Sequence, residues 1–133
     1  MNENPRPDLG DGADGATGSR HEWDAIEPDH PADKATRQLV RGEHMRVARF
    51  VLEEGFDMEP HVHHNEQISV VVEGRLLFRV GTVGSDDLRE VEVGAGQVMQ
   101  LPPFVPHAAR ALERSTVYDL FSPPSEKTGI DED

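Results

Sequence analysis

The sequence predicts an all-β domain, a sandwich or barrel. Three observations carry this: a series of short apolar or alternating runs, turn residues between them, and no long helical period with caps. In chain order the runs are HMRVARFVL (44–52), QISVVVE (67–73), RLLFRVGTV (75–83), LREVEV (88–93), QVMQL (97–101), HAARAL (107–112) and STVYDLF (115–121). Each fits a strand of about 5–8 residues, rich in Val, Leu and Phe. The separators contain EEG, EG, GSDD, GAG and PPFVP, and Gly55, Gly74, Gly84, Gly94 and Gly96 are expected to supply turn geometries. Upstream, ATRQLVRGE (35–43) reads as a further strand region, able to add to the sheet edge of a partner.

With 133 residues the chain can build one domain around one core. Residues 1–20 and 125–133 carry almost no apolar side chains and are expected to be disordered acidic tails, leaving 21–124 as the single domain. The formal charge is −13, concentrated at the ends: residues 1–33 hold nine acids against Arg6 and Arg20, whereas 34–124 hold 13 acids against 10 bases. Such acidity argues against nucleic acid, which is gripped mainly through Lys and Arg at phosphates. No N-terminal apolar leader and no membrane-length apolar window is visible, so a cytoplasmic location without a membrane partner is expected.

The chain has no cysteine, which excludes disulfides and thiolate metal sites. Any metal must be held by imidazole, carboxylate or amide, a donor set suited to Fe, Mn, Ni, Co or Zn. The stretch HVHHNEQ (61–67) offers such donors. In an extended chain His61 and His63 share one face and His64 the other, while Gln67 returns to the first face unless a turn at 64–65 shifts the parity. His107, after a proline-rich turn, supplies a third imidazole. His21, His30 and His44 read as solvated, and Glu66 as facing away from Gln67.

The segment GFDMEPHVHHNEQISVVVEG (55–74) resembles the first motif of the cupins, and GQVMQLPPFVPHAARAL (96–112) resembles the second. Gly55, His61, His63, Gly74, Gly96, Pro102 and His107 match the two motifs in order. Gln67 stands where many cupins have a glutamate, and Phe104 where the second motif often has glycine. The resemblance covers about residues 35–124 and implies a cupin-type double-stranded β-helix, or jelly roll. The ending ALERSTVYDLFSPPSE (111–126) further resembles a small cupin family acting on 4,5-unsaturated uronates released from pectin and alginate. That resemblance implies one divalent transition metal held by His61, His63, Gln67 and His107, with Asp119 and Phe121 in the active site. Asn65, His64 and Ser125 depart from the residues common in that family at their positions.

Strand parity puts Val117, Asp119 and Phe121 on one face. Asp119 is either the proton-transfer group or a structural acid, and Phe121 either lines the site or belongs to the core. Arg49 or Arg79 either points into the barrel to bind an acid group or lies on a solvated face. The leading functional expectation is a metal-dependent isomerase or lyase acting on a sugar acid or similar hydroxy-carbonyl compound, an anionic small molecule. A neutral amide ligand leaves the ion its full charge for such a substrate. The alternatives are an Fe(II) dioxygenase and a non-enzymatic cupin that binds a small ligand or metal as a sensor. A homodimer is expected from the resemblance.

Overall fold

A computed structural model describes residues 18–124. The tails expected at 1–20 and 125–133 fall outside the described residues, apart from 18–20, which are exposed. Ten strands follow a 3-10 turn at Trp23–Ala25: β1 (Asp29–Ala32), β2 (Ala35–Arg41), β3 (Arg46–Leu52), β4 (Asp57–His61), β5 (Glu66–Glu73), β6 (Arg75–Val80), β7 (Arg89–Gly94), β8 (Val98–Leu101), β9 (His107–Ala111) and β10 (Ser115–Ser122). They form two antiparallel sheets in the orders β1-β2-β3-β10-β5-β8 and β4-β9-β6-β7. This is a jelly roll: the alternating runs predicted a sandwich or barrel, and the cupin resemblance implied this form of it.

All seven runs become strands with ends shifted by a few residues. The run at 75–83 stops at Val80 because Gly81 turns at φ 114°. β1 and β4 are additions: DHPA and DMEPH carry too few apolar residues to stand out in sequence. The region 35–43 is not an edge. As β2 it lies between β1 and β3, paired with β3 along its whole length and with β1 over Ala35–Arg37.

Cross-strand register stacks the inward side chains in layers. At the mouth of the larger sheet Arg46, Phe121, Gln67 and Leu101 lie in one row; below them come Ala48, Asp119, Ser69 and Met99; below these, Phe50, Val117 and Val71. The facing sheet contributes His61, His107 and Val80, then Met58, Ala109 and Phe78, with Ala111 and Leu76 deeper still. The bottom layers are almost wholly apolar, and each fully buried Phe, Leu or Val stabilises the fold by about 1.5–3 kcal/mol. Gln67, Ser69, Asp119, Arg46 and His107 are gathered toward one end, while Arg37 and Ser115 are buried at lower layers.

Gly74 turns β5 into β6 at φ 91°, where a Cβ would collide with Ser115 Oγ and the Arg114 carbonyl. Only glycine combines that angle with that approach. Gly55, Gly84 and Gly96 also take positive φ, whereas Gly94 does not; it continues β7 and donates its N–H to Gln97 Oε1.

Outside the larger sheet, Trp23 stacks on Tyr118 with ring centroids 5.8 Å apart. Gln38 Nε2 donates to the Trp23 and Ile26 carbonyls, and Arg49 Nη1 donates to Gln38 Oε1. Among the described residues, no helix is long and apolar enough to cross a membrane.

Candidate metal centre

His61 closes β4, His63 follows it in the connection to β5, Gln67 is the second residue of β5, and His107 opens β9 opposite His61. The sequence places the first pair two residues apart. The sheet pairing of β4 with β9 then brings His107 to them. Donor atoms of the three histidines lie within 4.8 Å of one another, and the rings are 4.4–5.2 Å apart between centroids.

Each imidazole is oriented through Nδ1, which faces a backbone carbonyl: Glu59 for His61 (3.2 Å), Asn65 for His63 (3.2 Å) and Val105 for His107 (2.9 Å). A carbonyl can only accept, so Nδ1 carries the proton and Nε2 keeps its lone pair. Nε2 of His61 and of His107 are buried and have no hydrogen-bond partner. Nε2 of His63 faces Gln67 Oε1 at 3.2 Å, one acceptor against another. Lone pairs converging without protons between them are costly when buried, and a cation relieves that cost. The donor set therefore fits a divalent metal.

Protonation is disfavoured here as well. Burial holds the His107 imidazole down at about 4, assisted by repulsion from His61 and His63 and opposed by the bond to Val105. His63 is lowered by burial first and then by His61. These two rings are neutral, as ligands must be, at physiological pH.

The remaining candidates divide cleanly. Asp119 and Phe121 both point inward from β10 and are buried. The Phe121 ring meets His63 edge-on at 5.6 Å, and the Arg46 guanidinium sits 5.1 Å from its centroid. Asp119 Oδ1 accepts a hydrogen bond of 2.6 Å from Ser69, whose Oγ in turn accepts from Gln67 Nε2 at 2.9 Å. Burial pushes the Asp119 carboxyl up to about 6, against the opposing pull of Ser69 and Arg46. Gln67, Ser69 and Asp119 border an otherwise apolar cavity of about 20 Å³, room for about one water.

His64 and Glu66 are exposed, as alternation requires. His21, His30 and His44 are exposed and outside the cluster. Arg49 braces the outer face, and Arg79 lies 3.9 Å from Glu90 on the outer face of the smaller sheet, so neither enters the barrel. The inward cations are Arg37, paired through two nitrogens with Asp29, and Arg46. Both alternate in phase with apolar core residues on β2 and β3, a signal that becomes readable once Ala48 and Phe50 are assigned to the inner face. Asn65 is fully buried; its Nδ2 donates to the Pro123 carbonyl while its own carbonyl fixes His63. Phe104 keeps the backbone of the glycine it replaces, with φ 65°, and its N–H donates to the His63 carbonyl at 2.9 Å.

Known structures share this architecture. An RmlC-like cupin from Shewanella frigidimarina is 25% identical, with a TM-score of 0.69 over 81% of this chain and 95% of its own. KdgF from Halomonas sp. is also 25% identical, with a TM-score of 0.71 over 83% and 97%. A variant of oxalate decarboxylase from Bacillus subtilis, 16% identical, shares the fold over 83% of this chain and 31% of its own, with a TM-score of 0.71. No curated protein matches the sequence. Residues 30–129 match the family described as Cupin, and with two antiparallel sheets enclosing a three-histidine cluster at one end, the chain belongs to the cupins.

Proposed function

We propose that this cupin is a metal-dependent isomerase or lyase acting on a sugar acid or a similar hydroxy-carbonyl compound, with 4,5-unsaturated uronates as the leading class. The carrying observation is that Gln67, whose Oε1 faces the imidazole cluster, is linked by hydrogen bonds through Ser69 to a buried Asp119 held at about 6. His61, His63, His107 and the Gln67 oxygen would hold one Fe, Mn, Ni, Co or Zn ion. When bound, such an ion supplies a Lewis acid for a carbonyl, hydroxyl or carboxylate oxygen. Gln67 contributes an oxygen without a charge, so the centre stays cationic toward an anionic substrate.

Asp119 provides the group that accepts and returns a proton at its carboxylate, because an acid near 6 can do both at neutral pH. Phe121 and Arg46 border the same end of the barrel, one offering an apolar ring face and the other positive charge. The likeness to KdgF and the Asp-x-Phe-Ser-Pro-Pro ending of β10 support the uronate class.

The test uses the metal-loaded full chain and unsaturated uronates made by lyase digestion of pectin or alginate. Loss of the conjugated-ene absorbance at equal rates with and without oxygen is the expected result. No turnover on any of these sugars would overturn the substrate class, and turnover that requires oxygen would assign a dioxygenase instead.

A further inference from the structure

We propose that Ser69 is a positioning residue: it fixes the Gln67 side chain with its amide oxygen toward the three imidazoles, and Asp119 holds Ser69 in the role. This rests on the reading of the cluster as a metal centre and extends it to a residue that neither the cupin motifs nor the His-x-His spacing mark.

Three steps of geometry support it. Ser69 is directly opposite Asp119 in the β5–β10 pairing, and Gln67 lies two residues before Ser69 on the same inward face. All three side chains are buried, so no bulk solvent competes for their hydrogen bonds. The two bonds, 2.9 Å from Gln67 Nε2 to Ser69 Oγ and 2.6 Å from Ser69 Oγ to Asp119 Oδ1, run in one direction.

Direction is the decisive property. A serine hydroxyl has one proton, and a carboxylate at 2.6 Å takes it in a short, charge-assisted bond. Ser69 Oγ can then only accept from the side facing Gln67, so it selects the NH2 end of the amide and turns Oε1 toward His63. Without the hydroxyl the amide is free to reverse. Its NH2 would then donate to the His63 Nε2 lone pair, a satisfied bond that occupies the space of the cation and must break before a metal enters. Ser69 thus prevents the cluster from closing on itself.

The experiment titrates Co(II) alone into the full chain stripped of metal by a chelator, following the visible d–d bands. Ser69→Ala is expected to weaken Co(II) binding about tenfold, within the range seen when partners of metal ligands are removed. Ser69→Thr, which keeps the hydroxyl, should recover wild-type affinity. In a Gln67→Glu background Ser69→Ala should have little effect, because a carboxylate presents an oxygen whichever way it turns. Unchanged affinity in Ser69→Ala, or an equal loss in both backgrounds, would overturn the positioning role and leave Ser69 as packing. Should Ser69→Ala fail to fold, the wild type loaded with Zn(II) decides by NMR: a Gln67 Nε2 proton protected from exchange is expected, and free exchange of both protons overturns the proposal. Absence of Co(II) binding by wild type would remove the metal centre itself, an outcome separate from failure of the Ser69 arm.

Discussion

Replacing Asp119 with asparagine should make the metal-free protein more stable and the loaded protein far less active. An acid taken from its ordinary 3.8 to about 6 binds its proton more tightly in the fold than in the unfolded chain. Its contribution to stability is complete below 3.8 and is lost as pH rises through 6. At pH 8 the buried carboxylate therefore costs the fold about 3 kcal/mol, and at pH 5 about half as much. Asp119→Asn removes the charge and still accepts from Ser69, but its NH2 must find a partner where a carboxylate oxygen stood, at about 1 kcal/mol. A net gain of about 2 kcal/mol at pH 8, or on the order of 5–10 °C in melting temperature, should shrink by about half or more at pH 5. Urea unfolding of both proteins with chelator present measures it; metal must be absent because a nearby divalent cation would itself favour the ionised acid. Turnover of the loaded variant should fall about 10²-fold at unchanged metal content. A variant no more stable than wild type at pH 8, or a difference independent of pH, would refute the claim that burial sets the Asp119 charge. Equal activity would refute its role in proton transfer.

Three other outcomes are expected. His107→Ala should lose most bound metal, measured by elemental analysis, because it removes one of three converging imidazoles. Gln67→Glu should retain metal but weaken binding of an anionic substrate, seen as a higher KM, because it lowers the charge of the centre. Phe104→Gly should stabilise the fold by up to about 1 kcal/mol in a melting experiment, since a left-handed non-glycine residue costs about 1–2 kcal/mol and the extra chain entropy of glycine returns only part. The Phe104 side chain is 68% exposed and gives up little burial.

Local pattern determined much of this protein. Sequence pattern marked eight of the ten strands among the described residues, and alternation turned Val117, Asp119 and Phe121 inward together, because side-chain direction in a strand depends only on parity. The spacing of His61, His63 and Gln67 and the Pro102 to His107 turn made the cluster legible, and Gln67 kept its face despite the turn before it. Tertiary pairing decided the rest. That Ser69 stands against Asp119, that His107 meets His61, and that Arg46 lies against Phe121 follow from register between strands distant in sequence. A one-residue slip of any such pair would reverse which side chains meet, and no single run of sequence contains that choice. The charge state of Asp119 is likewise a property of the assembled core, since an aspartate acquires its raised affinity for a proton only when both sheets have closed around it.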